Sequence, residues 1–235
     1  MSNSEEGNTA SSPDWADSTE QAVLDAALLR LSADRHWDQR LVDLAASDIG
    51  LTPAVARLLL PGGPRDLAAL LSKRHDALTL AQLQSSDSTS LRVREKITLA
   101  VATRIDVALA DEQAVRRSLG FLALPAQAPL SGRLMWAAAD MIWKWCGDTA
   151  TDFNHYSKRA ILSTVLASTL AVRLSAGEDA ARRHLDGRID GVMSFEKLKS
   201  RVKIDPESAL SRFAGVLGRR RYGQAIKTET APSAD

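Results

Sequence analysis

The sequence predicts an all-α protein. Ala and Leu are abundant, Phe, Trp and Tyr together make up only 5% of the chain, and alternating runs of Val, Ile and Thr that would indicate strands are missing. Apolar residues recur instead at helical spacing along most of the sequence. With 235 residues, of which 45% are hydrophobic, the chain is long enough for one domain with a sizeable core, flanked by tails.

Three short helices are predicted near the N-terminus. The first runs from Thr19 to Arg35 and can be capped by Ser18 or by Thr19 itself. The second is short and ends at Gly50, and the third opens with Thr52 as N-cap and Pro53 at the first helical position. Three short helices in this order resemble a helix-turn-helix head of the TetR type.

Further helices follow after the chain break at Pro61-Gly62-Gly63-Pro64. The segment 132–145 is apolar on nearly every side except at Asp140, which predicts burial against several other helices. In the segment 91–108, the basic residues, among them Arg104, are expected on the faces away from the apolar stripe. The expected helices cover 66–73 and beyond, 91–108, 112–124, 132–145, 152–174, 178–190 and 205–221, with a turn at 125–129.

Charge and cysteine content limit the possible functions. The net charge of +1 provides no global basic surface for nucleic acid. A single cysteine, Cys146, cannot form an internal disulfide, suits a reducing compartment and excludes metal sites built on several thiolates. The acidic segment 1–18 has neither an apolar nor an Arg-rich targeting pattern, so we expect a disordered tail and a cytoplasmic location.

The apolar stretch from Ala160 to Val172 is shorter than the roughly 20 residues that span a bilayer, so it is expected to be a buried helix.

DNA recognition by the segment 41–60 is not favoured either. A recognition helix needs polar and basic side chains, whereas the segment from Pro53 to Leu60 offers only Arg57. We therefore expect a head without DNA contacts, in which Leu58 to Leu60 pack against the core.

Neither metal nor nucleophilic chemistry is predicted. Asp152 and His155 have the i, i+3 spacing used in di-iron bundles, but no Glu-x-x-His occurs, and Thr151 or Asp152 can instead be the N-cap of the helix. Cys146 lies beside tryptophan in an apolar helix without a partner motif. The other histidines are expected at the surface: His36, His75 and His184. We interpret the chain as a binding protein without catalytic residues, cofactor or metal.

The segment 205–221 predicts an amphipathic helix. Leu210, Phe213 and Leu217 share one face, and Arg219 and Arg220 lie off it. Such a helix can bind a membrane interface, with its arginines on anionic headgroups. Periodicity alone leaves docking onto the protein's own core equally open.

The polar junction from Gly147 to Arg159 joins the two most apolar predicted helices. Positions 152, 155, 156 and 159 share one helix face. Two interpretations are open: a partner surface formed by Ile142, Asp152, His155, Tyr156 and Arg159, or Tyr156 packed in the core with Arg159 paired to Asp152. The surplus of apolar residues also predicts a lipid pocket between 132–145 and 152–174, lined by Leu134, Ala138, Ile142, Leu162, Val165, Leu166 and Thr169.

Several motifs resemble the coenzyme Q nine family of ubiquinone-biosynthesis accessory proteins. The junction is similar to the family run GD-x-STDFN-[WY]-Y-[TS]-[KR]-R-A, and Asp152, Tyr156 and Arg159 match it, whereas His155 replaces the usual aromatic residue. The resemblance extends from about residue 20 to 203. Its other motifs are Pro61-Gly62-Gly63-Pro64, Leu124-Pro125, Asp140-Met141-Ile142-Trp143 and Arg188-Ile189-Asp190-Gly191-Val192-Met193.

The resemblance implies a TetR-like helical fold over 19–203 that binds isoprenoid quinone intermediates or another lipid in an internal pocket. It also implies peripheral membrane attachment through 204–223, before a polar tail at 224–235, and presentation of the lipid to a di-iron quinone hydroxylase. A bacterial member at the inner membrane, with a possible homodimer and no nucleic-acid partner, fits this pattern. The alternative from another class is a TetR-type lipid-responsive transcriptional regulator.

Overall fold

A computed structural model describes residues 12–31, 36–148 and 153–201 of the chain. Asp152, the segment 204–223 with its predicted membrane-binding residues, and the C-terminal tail lie outside these residues. The all-α prediction is confirmed, since the described residues contain helices and no strand. The elements are α1 Ser12–Arg30, α2 Gln39–Asp48, α3 Pro53–Leu59, α4 Pro64–Ser85, α5 Val93–Leu109, α6 Glu112–Leu122, the 3₁₀ helix Pro125–Gln127, α7 Ala128–Trp145, α8 Phe153–Ala176 and α9 Glu178–Arg201.

Local capping signals position the short helices. Asp38 Oδ1 accepts a hydrogen bond from the backbone N of Leu41 at 3.0 Å and begins α2. Thr52 Oγ1 accepts from the backbone N of Val55 at 3.4 Å, which confirms Thr52 as the N-cap of α3. Gly50, at φ +76°, provides the left-handed turn between the two helices.

Several helices begin earlier than predicted. α1 starts at Ser12, so Ser18 and Thr19 lie inside it and donate their hydroxyls to the backbone oxygen of Trp15 instead of capping a terminus. α4 and α7 start at Pro64 and Ala128. Proline fits the first turn of a helix because the N–H it lacks has no helical partner there.

Two apolar clusters form the core. The first packs α1, α2 and α4 against residues of α6 and the beginning of α7. The second packs α5, α7 and α8 against the first half of α9. α7 contributes Leu130 to the first cluster and Ala138, Ala139 and Ile142 to the second. This double role explains why its sequence is apolar on nearly every side.

The packing of the head differs from the prediction at one residue. Leu60 is buried and Leu59 packs against the first cluster, but Leu58 is 83% exposed. A seven-residue helix can turn only part of its circumference inward, and Leu58 lies on the opposite side. The TetR-like arrangement of these helices remains a prediction.

The chain divides into two compact units, one ending at Ile189 and one beginning at Asp190. Among the described residues of the second unit is the last part of α9. Within the described ranges one segment, His155–Ala176 in α8, is long and apolar enough to cross a membrane by length and composition alone. The expectation that this region is too short was wrong on that count. Its buried residues Leu162, Val165, Leu166 and Thr169 lie on one face, so the helix is not buried throughout.

Candidate functional site

The corner between α7 and α8 is set by the way α7 ends. The backbone N of Gly147 donates to the oxygen of Lys144 at 3.0 Å, and the backbone N of Asp148 donates to that of Trp143 at 3.0 Å. These two bonds, with Gly147 at φ +83°, form a Schellman motif. A residue with a Cβ would be strained at this φ, so Gly147 places the Asp148 carboxylate where α8 can contact it.

Arg159 holds α8 to this corner. Its side chain is only 1% exposed. Its Nε donates to Asp140 Oδ1 of α7 at 2.6 Å, and its Nη1 donates to Asp148 Oδ2 at 3.1 Å and to the backbone oxygen of His155 at 3.2 Å. The predicted outlier Asp140 is thus explained as half of a buried ion pair between helices. Charged residues are rarely buried without such partners.

Two lysines and a tryptophan complete the network. Lys158 Nζ donates to Asp148 Oδ1 at 2.7 Å and lies 5.0 Å from the ring centroid of Trp143, a cation–π distance. Trp143 Nε1 donates to the backbone oxygen of Lys158 at 3.1 Å. Lys144 Nζ lies 2.8 Å from Asp140 Oδ2, so each carboxylate is bonded by two cations. The network fixes the start of α8 on the end of α7.

The network changes the acidity of its carboxylates. Burial alone raises the pKa of Asp148, but hydrogen bonds from Lys158 and Arg159 outweigh it and leave the pKa below its usual value. Asp140 follows the same pattern, with burial opposed by hydrogen bonds from Lys144 and Arg159, and its pKa is also lowered. Both groups are therefore ionised at neutral pH and hold the arginine charge.

An aromatic surface lies beside the buried network. Tyr156 is 60% exposed. Its ring makes an edge contact with His155, with centroids 5.1 Å apart, and a tilted contact with Trp136 of α7, at 6.2 Å. His155 is half-buried, and its side chain has further interactions. Tyr156 thus presents its ring to solvent on a support that the ion pairs hold in place.

The predicted partner surface is divided by this geometry. Tyr156 and His155 reach the surface, while Ile142 and Arg159 are buried and cannot contact a partner directly in this conformation. The alternative interpretation was also incomplete, because Tyr156 is not in the core and Arg159 pairs with Asp140 and Asp148. Spacing within one helix does not predict these ion pairs, because the long side chain of Arg159 extends to a neighbouring helix.

Small cavities lie where α4, α5, α6, α7 and α8 meet. One of about 50 Å³ includes Leu134 in its wall, and one of about 20 Å³ includes Ala138 and Leu166. The two share Arg104, Ala108, Met135 and Leu170. A third, of about 70 Å³, includes Thr169 and lies between α5, α8 and α9.

Four of the seven predicted lining residues therefore border these cavities. The other three, Ile142, Leu162 and Val165, are packed in the second core cluster and border none of them. Apolar residues on two neighbouring helices can pack fully against one another and leave no cavity. Here α7 and α8 pack in this way. The cavities lie beside the interface between α7 and α8, toward α4 and α5.

Two polar residues of the cavity walls differ from the predictions, since His75 was expected at the surface and Arg104 away from the apolar stripe of its helix. His75 is 3% exposed, and its Nε2 lies 3.0 Å from Asp111 Oδ2. Arg104 is also buried, and its Nε donates to Asp76 Oδ1 at 2.7 Å. Helical periodicity does not reveal them, because both positions are polar residues on otherwise apolar faces. Their acidic partners lie elsewhere in the chain, Asp76 in α4 and Asp111 directly before α6.

Nucleophilic chemistry at Cys146 is disfavoured by its surroundings. Burial raises the pKa of its thiol to about 11, so very little thiolate forms at neutral pH. Within the described ranges, no group of three or more His, Cys, Asp or Glu side chains could hold a metal ion.

The fold and the corner define an all-α protein whose helical hairpin α7–α8 is closed by a buried arginine between two carboxylates. A COQ9 family model matches residues 128–196, which include α7, α8 and most of α9. The chain is 26% identical over 198 residues to ubiquinone biosynthesis protein COQ9 of Rattus norvegicus, and 26% over 202 residues to that of Homo sapiens. These matches cover 80% and 82% of this chain, and 64% and 63% of the relatives.

A third relative, ubiquinone biosynthesis protein COQ9 of Drosophila melanogaster, is 24% identical over 194 residues, or 80% of this chain and 59% of the relative. The names of all three relatives describe them as mitochondrial. Residues 128–196 thus match the COQ9 family model, and the chain is similar along most of its length to COQ9 proteins. It matches less than two thirds of the length of these relatives.

Proposed function

We propose that this protein acts in ubiquinone biosynthesis without performing chemistry itself, by binding an isoprenoid quinone intermediate and presenting it to a di-iron quinone hydroxylase. Similarity to COQ9 proteins is the observation that carries this proposal, because the relatives are named for ubiquinone biosynthesis. The high pKa of the Cys146 thiol argues in the same direction against covalent catalysis.

The cavities beside α7 support a binding role. They form a series, since the 50 and 20 Å³ cavities share four residues and the 20 and 70 Å³ cavities share Ile105. An engineered apolar cavity of about 150 Å³ holds one benzene molecule. An isoprenoid tail therefore requires the cavities to widen and join. Met135 borders two of them, and its unbranched side chain can change rotamer to admit a chain.

Apolar burial provides the driving force for the tail. Each Å² of apolar surface removed from water contributes about 25 cal/mol before the costs of association. When the tail displaces the side chains of Met135 and Leu170, the apolar residues around them lose contacts with these side chains and gain contacts with the tail. The free state is thus a closed form of the pocket, and the ligand stabilises an open one.

The corner at Tyr156 is the proposed contact for the hydroxylase. Exposed tyrosine is among the residue types that dominate interface energies. His155 supports its ring, while Arg159 and Ile142 position the helix start from within the core. The predicted surface is therefore kept, but only its exposed residues Tyr156 and His155 are proposed to contact the hydroxylase directly.

Membrane attachment through 204–223 is proposed from the sequence pattern of Leu210, Phe213 and Leu217 opposite Arg219 and Arg220. A membrane-bound protein would extract its lipid without releasing it into water. The transcriptional alternative has less support, because Arg57 is the sole basic side chain of α3.

Mass spectrometry of lipid extracted from the purified protein tests the binding role. We expect a quinone or a phenolic precursor with an isoprenoid tail. If no lipid co-purifies, and quinone precursors added to the protein leave its melting temperature unchanged, lipid binding is ruled out. Co-purification of the hydroxylase with the protein tests the presentation role separately.

A further inference from the structure

The wall of the 50 Å³ cavity carries charged and polar side chains that core packing does not require. Arg104 of α5 borders this cavity and the 20 Å³ cavity. Its side chain is 8% exposed, and that of its partner Asp76 is 16% exposed. A buried ion pair gives little net stability, because desolvation of the two charges offsets most of their attraction, and apolar residues of similar size often do as well.

The guanidinium of Arg104 is only partly used by the protein. Nε donates to Asp76, and Nη2 lies 3.4 Å from the backbone oxygen and 3.5 Å from the hydroxyl oxygen of Ser72, two long contacts. Nη1 has no hydrogen-bond partner among the residues that the structure describes. Arg104 therefore has one donor without a protein partner among these residues, and it borders a cavity that Met135 and Leu170 also border.

An acceptor borders the same cavity. Burial lowers the pKa of His75 despite the hydrogen bond to Asp111, so the ring is neutral at pH 7. Its Nε2 lies 3.0 Å from a carboxylate oxygen of Asp111, which is an acceptor, so the Nε2 proton is donated there. Nδ1 then keeps its lone pair and can accept a hydrogen bond.

The positive charge of this wall is paired before any ligand binds. Arg104 pairs with Asp76, and the neutral His75 is hydrogen-bonded to Asp111. A ligand carboxylate would gain little attraction from such a wall and would be desolvated on entry. A neutral group with a carbonyl, ether or phenolic oxygen is the better match, because it needs one donor or one acceptor and brings no charge.

We infer that Arg104 and His75 of this wall bind the oxygenated ring of the lipid, with a ring oxygen accepting from Arg104 Nη1 and a ring hydroxyl donating to His75 Nδ1, while Asp76 holds Arg104 in place. The ring lies toward α4 and α5, and the tail extends past Met135 and Leu170 toward α8. This inference rests on the proposed lipid-binding function and adds the orientation of the ligand and its ring chemistry.

The test compares two probes of equal tail length, a decyl-substituted benzoquinone and decylbenzene. We expect the natural protein to bind the quinone at least about tenfold more tightly, as a hydrogen bond to a charged donor allows. In the double variant Arg104→Met with Asp76→Leu, the quinone affinity should fall to that of decylbenzene, whose own affinity should be unchanged. Removing both charges avoids leaving one buried and unpaired.

Arg104→Lys is the second variant, because it keeps a cation beside Asp76 but removes the Nη1 donor, and it should also lose the preference. The matched control is Arg30→Met with Asp48→Leu, an ion pair between α1 and α2 that borders none of these cavities. It should leave both affinities unchanged. His75→Leu should selectively weaken binding of the reduced, hydroxylated form of the quinone probe.

The outcomes separate the two proposals. If the natural protein binds both probes equally, or if a folded double variant keeps the quinone preference, the ring site is wrong while lipid binding stands. If the natural protein binds neither probe, lipid binding and the ring site both fail. Loss of the preference in both Arg104 variants, with the control unchanged, supports the ring site.

Discussion

The buried Arg159 of α8 and the partly exposed Asp140 of α7 form an ion pair in which Nε donates to Oδ1 across 2.6 Å. Asp140 lies five residues before the end of α7, and Arg159 lies six residues after the start of α8. The sequence position of Arg159 allowed it to face a partner protein, but its side chain instead joins α7 to α8. The first prediction follows from this relationship.

Arg159→Ala should lower the free energy of unfolding by about 1 to 3 kcal/mol, because it removes the cation that joins Asp140 to Asp148, while Lys144 and Lys158 remain paired with these carboxylates. Urea denaturation measures the change. Arg92→Ala is the control, since its i, i+3 pair with Glu95 is exposed to solvent and its removal should leave the free energy of unfolding nearly unchanged. Unchanged stability of Arg159→Ala together with lost hydroxylase binding would show that Arg159 contacts the partner directly.

Tyr156→Ala should weaken binding of the hydroxylase by about 1 to 2 kcal/mol, since it removes an exposed aromatic anchor. Its effect on stability should stay within about 0.5 kcal/mol, as is usual for surface positions. Titration of the hydroxylase and thermal melting of the same sample measure the two quantities. Trp15→Ala is the matched control, because Trp15 is 57% exposed on a different helix and should leave binding unchanged. A large loss of stability with binding preserved would make Tyr156 a packing residue.

Acid should destabilise the corner through Asp148. Its pKa in the folded protein is below the value of about 3.9 expected when unfolded, so its contribution is complete above about pH 4 and is lost as the pH falls through the folded value. Asp148→Asn should lower the free energy of unfolding by about 1 to 3 kcal/mol at neutral pH and should flatten its decline below about pH 4. Urea denaturation at several pH values gives both results. An equally steep decline in the variant would exclude this group as a cause.

Filling the cavities should block lipid binding. Ala108 is buried and borders both the 50 and the 20 Å³ cavity, so Ala108→Leu should fill part of that space and reduce co-purified lipid at least severalfold. The cost of overpacking, about 1 to 3 kcal/mol, should be reduced by the space available. Ala100→Leu is the control, because Ala100 is buried on the same helix but borders none of the three cavities. Normal lipid content in Ala108→Leu would locate the lipid elsewhere.

Membrane attachment should depend on the apolar face of 204–223. Leu210→Glu with Phe213→Glu should abolish flotation with anionic liposomes, since each side chain contributes roughly 1.5 to 3 kcal/mol when fully buried. Replacing Arg219 and Arg220 by Ala should weaken flotation mainly at low salt, where their attraction to anionic headgroups is not screened. Normal flotation of the double glutamate variant would instead favour docking of this helix on the protein itself.

The local elements were largely predictable because their signals lie within a few residues. Thr52 and Pro53 identify the start of α3, and Gly147 the end of α7, since capping and left-handed turns depend on adjacent backbone groups. The start of α1 was wrong by several residues because Ser18 and Thr19 also donate to the backbone within helices. Apolar periodicity placed α7 and α8 in the core but could not indicate how closely they pack.

The sequence by itself determined the helical class, most helix boundaries, the family resemblance and the polar corner, because these depend on local chemistry and residue order. Only the tertiary structure decided that Arg159 is buried between Asp140 and Asp148 while Tyr156 remains exposed. It also decided that His75 and Arg104 line cavities inside the fold. Those outcomes depend on which helix packs beside which, and the partners of Arg104 and His75 are 28 and 36 residues distant along the chain. Ion pairs across such separations form only once the helices have packed, so periodicity within one helix cannot reveal them.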